Sequence, residues 1–416
     1  MKHRSASCAP LLGLAGLALL AGPALAQTPP PATAGVSLYG VLDAGVLSIS
    51  NTSAGRAGYV PAASTGARLT GYKDGGLGAS NWGLRGHEDL GGGYGAFFQL
   101  QGNVNTASGT IGGPNSASAT AAFNQFSVVG LSGPFGQLKL GRQVTPMYFA
   151  MASTDARGAR YFGSALTALV GLNSASGVFI GNNSNAAFGA IYNDNAVVYT
   201  SPTWQHLTLN LSHAFGEGNG ASSANRQQSA TLLYNDGRLR LSALLYDGHG
   251  NNLPAATALY TAALGNAAAG QAAATAAGFT PTAHTNRLVS LGALYTWDAY
   301  TVSAAVYRAR NPARALVPGG SASLNLWTVA AGWRIAPLVN LTAGYYRMTD
   351  NTNAGHQATQ FAAGVDYALS KRTMLYAQGA SVRNAGGNMN LSPVYATPVA
   401  AGKNVSAWMA GLRHTF

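Results

Sequence analysis

The sequence predicts an all-β fold, a single transmembrane antiparallel β-barrel of sixteen strands. Three observations carry that reading. Apolar and polar residues alternate with period two from Val36 onward, in strands joined by links that are short at one rim and long at the other. Charged residues are only 9% of the chain, against roughly 25% in a typical soluble domain. Hydrophobic residues nevertheless reach 47%, with no apolar run beyond the first residues that approaches the ~20 needed for a membrane helix. The last residues, VSAWMAGLRHTF, form one amphipathic strand with Trp408, Ala410, Leu412, His414 and Phe416 on a single face. A closed barrel explains such an end, because the last strand must pair with the first while its outer face meets lipid.

The N-terminus bears on the compartment. Lys2, His3 and Arg4 precede the apolar stretch Leu11 to Leu20, and Ala24-Leu25-Ala26 forms a small-residue cleavage site before Gln27. Residues 1–26 are therefore expected to be a removed secretory signal and residues 27–416 a single barrel domain. Cys8 is the one cysteine, so the mature chain is expected to hold no disulfide and no thiolate metal site. The formal charge is +12, but the bases are scattered, which argues against nucleic acid as a partner.

The strands follow in order. Val36 to Ile49 is the first, followed by a polar, glycine-rich stretch to Ser80. Asn81 to Leu90 runs into the turn Gly91-Gly92-Gly93, and Tyr94 to Val104 returns with Ala96, Phe98 and Leu100 on one face. Phe123 to Ser132 turns at Gly133-Pro134 into Gln137 to Gln143. Ala196 to Thr200 leads to Gln205 to Phe215, where Leu207, Leu209 and Leu211 alternate with Thr208, Asn210 and Ser212. Gln228 to Tyr234 turns at Asn235-Asp236-Gly237 into Arg238 to Tyr246, with Leu239 and Leu241 on one face. The alanine-rich insertion Ala255 to Ala277 reads either as a short helix on a long loop or as disordered chain. Leu288 to Trp297, Tyr300 to Arg308, Ser323 to Arg334, Val339 to Arg347, Gln357 to Leu369, Thr373 to Val382 and the terminal strand complete the set. Aromatic residues near strand ends, among them Tyr94, Trp204, Trp297, Tyr300, Tyr367 and Trp408, suit two interfacial girdles.

Catalytic and metal-binding patterns are missing. His206 and His213 are an odd number of residues apart, which on one strand puts them on opposite faces. Glu88 and Glu217 are the only glutamates, and no nucleophile elbow, phosphate loop or zinc-helix motif occurs.

Six segments, in order, resemble the signatures of proteobacterial general porins. They are Ser37–Gly45 (SLYGVLDAG), Trp82–Gly91 (WGLRGHEDLG), Val129–Gly136 (VGLSGPFG), Leu140–Gln143 (LGRQ), Leu369–Thr373 (LSKRT) and Gly411–Phe416 (GLRHTF). The terminal Phe416 is also similar to the C-terminal assembly signal of bacterial outer-membrane proteins. The resemblance implies a sixteen-stranded trimer in the outer membrane, with short periplasmic turns, long extracellular loops and a third loop folded into the lumen. It implies passive diffusion of small hydrophilic solutes and ions, and no cofactor. The partners implied are outer-membrane lipid and lipopolysaccharide, further copies of the chain and the barrel-assembly machinery.

The third loop would span about residues 144–192, and its charges depart from the family pattern, which places several carboxylates there. Asp155 is its one acid, beside Arg157 and Arg160. Alternation puts Arg85 with Asn81 and Gly83, and Lys139 with Gln137 and Gly141, on lumenal faces. Arg142 falls in phase with Leu138 and Leu140, and a bulge at the start of the loop would turn it inward. Asn81 lies where many relatives carry arginine, and Asp43, on the polar face of the first strand, is a lone counterweight. The expected pore-lining set is thus Asp43, Asn81, Arg85, Lys139, Arg142, Asp155, Arg157 and Arg160. Its excess of positive charge implies a mild preference for anions. A substrate-specific channel and a surface adhesin barrel are the alternative readings.

Overall fold

In the computed structural model the barrel is closed by the two ends of its sheet. β1 (Gly35–Ile49) pairs antiparallel with β17 (Val405–Thr415), placing Val41 opposite Thr415 and Ile49 opposite Ala407. The structure describes residues 35–52, 67–111, 121–171, 191–216, 224–249, 253–282, 285–310, 312, 322–386, 389–397, 399–400 and 402–416. The expected signal segment lies outside them. On its other edge β1 pairs with two consecutive segments, β2 (Leu69–Asp74) along its second half and β3 (Asn81–Gly91) along its first. These two are halves of one interrupted stave. The seventeen strand segments among the described residues therefore make sixteen staves.

Each following strand is antiparallel to its predecessor. They are β4 (Tyr94–Asn103), β5 (Phe126–Gly133), β6 (Gly136–Val144), β7 (Tyr192–Thr200), β8 (Leu207–Ala214), β9 (Gln227–Asn235), β10 (Leu239–His249) and β11 (Thr285–Trp297). β12 (Tyr300–Arg310), β13 (Ser323–Ala336), β14 (Val339–Asp350), β15 (Gln357–Ala368) and β16 (Thr373–Ala385) lead back to β17. Tight turns alternate with long loops. Between β3 and β4, Gly91, Gly92 and Gly93 take φ of 81°, 63° and 81°. Three successive left-handed residues are tolerable only without a Cβ. At the seam, the Gly40 amide donates to the Phe416 carbonyl (3.2 Å) and the Phe416 amide to the Gly40 carbonyl (3.0 Å). A Cβ on Gly40 would collide with the Phe416 ring, so the glycine admits the terminal aromatic group against the first strand.

Alternation sets the faces. On β8, Leu209 and Leu211 are exposed on the outside while Asn210 and Ser212 are buried within. Leu207 lies opposite Tyr234, and Leu239 and Leu241 lie opposite Tyr295 and Ala293, all on the outer face. Trp297, Tyr300 and Trp333 form a stacked outer ladder at the short-turn rim, with centroids 5.6 and 5.9 Å apart. A lysine at Leu209 should cost about 2–4 kcal/mol. One at inward, part-exposed Thr208 should cost under about 1 kcal/mol, because its amine reaches lumenal water. Denaturant titration in liposomes checks this, and equal costs at the two positions would refute the facing.

The structure differs from the sequence reading in three elements. β2 falls within the stretch read as a polar link. His206 sits in the turn before β8 with φ of 69°, so it shares no strand with His213. The alanine-rich insertion holds two helices, α3 (Leu253–Leu264) and α4 (Ala267–Ala276). The second is capped by the Asn266 side chain, which accepts from the Ala269 amide at 3.0 Å.

Candidate functional site

After β6, residues 145–171 enter the barrel and are fastened along the inner wall, while residues 172–190 of the expected third loop lie outside the described residues. Helix α1 (Pro146–Ser153) starts immediately after β6, with Pro146 in its first turn, and packs against β8 to β11. The Thr154 hydroxyl meets the Ser242 hydroxyl on β10 at 3.0 Å, and the Ala156 amide donates to the Ser303 hydroxyl on β12 at 2.9 Å. Arg157 donates from Nη1 to the Thr342 hydroxyl on β14 at 2.9 Å. Its Nε and Nη2 donate to the carbonyls of Gly163 (2.6 Å) and Phe162 (3.1 Å). Arg160 grips Asp366 on β15 with its two terminal guanidinium nitrogens, at 2.8 and 2.5 Å. A second helix, α2 (Ala165–Gly171), reaches β13 and β14. Successive staves thus hold the loop at successive residues.

A second loop joins it. Residues 389–397, between β16 and β17, are largely buried. The Gly163 amide donates to the Pro393 carbonyl at 2.7 Å and the Tyr395 amide to the Tyr161 carbonyl at 2.9 Å. The Tyr161 and Tyr395 rings stack with centroids 4.2 Å apart. Sequence reasoning missed this loop. Its one local signal is an apolar content high for an external loop, in Leu391, Val394, Tyr395 and Val399.

Inward side chains nearer the short-turn rim remain part exposed, including Arg85, Gln99, Gln137, Thr200, Arg240 and Asn340. Arg85 stands opposite Ser37 and Gln99, with its guanidinium 5.0 Å from the centre of the Tyr39 ring. Lys139 points inward between Gly130 and Val198, is 5% exposed, and forms no ion pair among the described residues. Arg240, not picked out from the sequence, shares the inward face with Ser242 and Leu244. The alternation that puts Leu239 and Leu241 outside would have found it.

Among known proteins, residues 13–387 match the family model for Gram-negative porins. The chain belongs to the Gram-negative porin family. It is 27% identical to outer membrane porin protein 32 of Delftia acidovorans, over 97% of this chain and 99% of the relative. It is 28% identical to an outer membrane porin protein of Bordetella pertussis, over 90% of this chain and 94% of the relative. In fold it is similar to an anion-selective porin from Comamonas acidovorans, at a TM-score of 0.68 and 23% identity, covering 92% of this chain and all of that one. The protein is an outer-membrane porin, a water-filled channel for passive diffusion.

Several residues expected to line the pore of this porin are committed elsewhere. Arg157 and Arg160 are 1% and 2% exposed, and their donors are spent on loop carbonyls, Thr342 and Asp366. Burial pushes Arg157 down to about 10, still protonated at neutral pH. Burial works against the Arg160 charge too, but Asp366 outweighs it and holds the guanidinium above its ordinary value. Asp155 accepts from the amides of Arg157 (2.9 Å), Ala159 (3.3 Å) and Ala165 (3.0 Å), so it shapes the loop rather than facing ions. Asp43 is fully buried and accepts from the amides of Gly76, Leu77 and Gly78, the Tyr376 hydroxyl and Arg413. It holds the break between β2 and β3. Asn81 is inward but buried, bonding the Ala79 carbonyl at 3.0 Å.

Arg142 does lie beside a bulge, marked by a register shift after Gly141. Its ladder partner, however, is Ser127, on the outer face with Val129. Its guanidinium pairs with Asp194, donates to the Asn124 carbonyl at 2.7 Å and covers the Tyr192 ring. Its charge is therefore neutralised by Asp194.

Proposed function

We propose that this porin prefers small anions, with the preference set by bases of the barrel wall rather than of the constriction loop. The observation that carries the reading is an imbalance among inward charges. Arg85 and Arg240 point inward and stay part exposed, with Lys139 inward but buried, while the inward acids Asp43, Asp155, Asp350 and Asp366 are buried and bonded to amides, hydroxyls or cations. A fixed positive excess in a narrow aqueous passage raises the local anion concentration. The Comamonas relative described as anion-selective supports the same sign. We also infer a homotrimer, by analogy with the trimer form of OmpT from Vibrio cholerae, which has a similar fold at a TM-score of 0.58.

Reversal potentials across a salt gradient test the selectivity. The wild type should favour chloride over potassium, less so as salt rises and the screening length falls from ~10 Å at 0.1 M to ~3 Å at 1 M. Changing Arg85 and Arg240 together to glutamate should shift the reversal potential toward cations. A cation-selective wild type, or a double variant with an unmoved potential, would overturn the reading.

A further inference from the structure

Arg85 meets the lumen against a tyrosine of the neighbouring strand. Tyr39 on β1, Gly83 on β3 and Gln101 on β4 form one inward cross-strand row. Ser37, Arg85 and Gln99 form the next, one step toward the short-turn rim. Gly83 has no side chain to fill its place in the row, and the Tyr39 ring lies across it. A Cβ there would stand 2.9 Å from both Cζ and the hydroxyl of Tyr39. The ring therefore spans β3, and its hydroxyl arrives at the amides of β4. That hydroxyl accepts from Gln99 Nε2 at 2.7 Å and donates to Gln101 Oε1 at 2.8 Å. Gln101 in turn donates to Gln125, at the root of the long loop before β5, and both glutamines are buried. The ring is thus held at its backbone and again at its far end.

The Arg85 guanidinium sits over this fixed ring, 5.0 Å from its centre, within cation–π range. An arginine without such support spreads its charge over many rotamers. Stacking occupies the flat face of a guanidinium rather than its N–H edge, so the group still offers donors to an anion. The alternative position for the charge is visible on the same strand. Asp89 is in phase with Arg85, four residues on, and exposed at the turn. That is ~13 Å of strand, a gap that two extended side chains largely close. An Arg85 released from the ring would lean toward Asp89 and lose its field in the water passage.

The geometry points to Tyr39 as a positioning residue for ion selectivity: its ring holds the Arg85 charge over the lumen and away from Asp89. This rests on the anion preference proposed above and names a side chain that sustains it without carrying charge.

The test measures reversal potentials across a salt gradient for the full-length wild type, Y39F, Y39L, R85Q and Y39L/R85Q, with urea midpoints in liposomes as the check on folding. Removing a cation–π contact shifts the stacked population about two- to fivefold. Y39L should accordingly lower the chloride-to-potassium permeability ratio, by up to the fall in R85Q. Y39F keeps the ring and should restore most of the wild-type ratio. Adding Y39L to R85Q should change nothing more, since Tyr39 acts through Arg85. Should Y39L not fold, Y39M takes its place with the same expectations. An unmoved ratio in the leucine or methionine variant, an equal fall in Y39F, or a further fall in the double variant would overturn the proposal. A wild type without anion preference would refute the underlying selectivity reading instead, and the Y39L shift with its disappearance in R85Q would still decide the role of Tyr39.

Discussion

Replacing Asp366 with alanine should destabilise the folded barrel by about 3–5 kcal/mol, because Arg160 is left as a buried cation without its carboxylate. The pair is almost completely enclosed, with side-chain exposures of 3% and 4%, so water cannot stand in for the missing oxygens. The loop has other fastenings at Ser242, Ser303 and Thr342, and it should loosen rather than detach. Single channels of D366A should accordingly show increased open-channel noise. The double change Arg160→Met with Asp366→Leu removes both charges and should recover most of the loss, since apolar replacement of a buried pair is often close to neutral. Denaturant titration of the three proteins in liposomes decides the matter. A loss below about 1 kcal/mol in D366A would mean that the pair does not hold the loop.

Excising residues 390–400 and joining the ends with a short Gly-Ser linker should raise single-channel conductance by about twofold or more. Removal should open its space to water, because the described residues of the segment are largely buried against the loop inside the barrel. It is held by the Phe162–Val394 bridge, by the Tyr161–Tyr395 stack and by Asn384, whose side chain accepts from the Leu391 amide at 2.9 Å. Selectivity should keep its sign, because Lys139, Arg85 and Arg240 are untouched. An unchanged conductance would show that the segment lies beside the ion path instead of in it.

The legible part of this protein was the part governed by local alternation. Period two gave the faces of β8, β10 and β17, because each residue there obeys a rule that needs only its neighbours. β2 escaped for the complementary reason. It is six residues long, ends in Lys73-Asp74 before two glycines, and makes a stave only by sharing β1 with β3. The charges were visible but their partners were not. Arg160 finds Asp366 across 206 residues and Asp43 finds Arg413 across 370, separations that no motif spans. Arginines that looked free for ions were therefore structural clasps, while Arg240, on a strand noted for its leucines, went unremarked.

The Asp43–Arg413 contact joins the first strand of the sheet to the last, and it exists only once the cylinder is shut. Sliding the seam by two residues preserves every inside–outside relationship, so alternation alone cannot reject it. Such a slip would set Asp43 against Gly411 or Thr415, which in the correct register face Gly45 and Val41, and leave the buried carboxylate without its cation. The seam thus carries its own proofreading: a miscounted closure keeps every lipid-facing side chain outside, yet fails at this ion pair and at the glycine that receives Phe416.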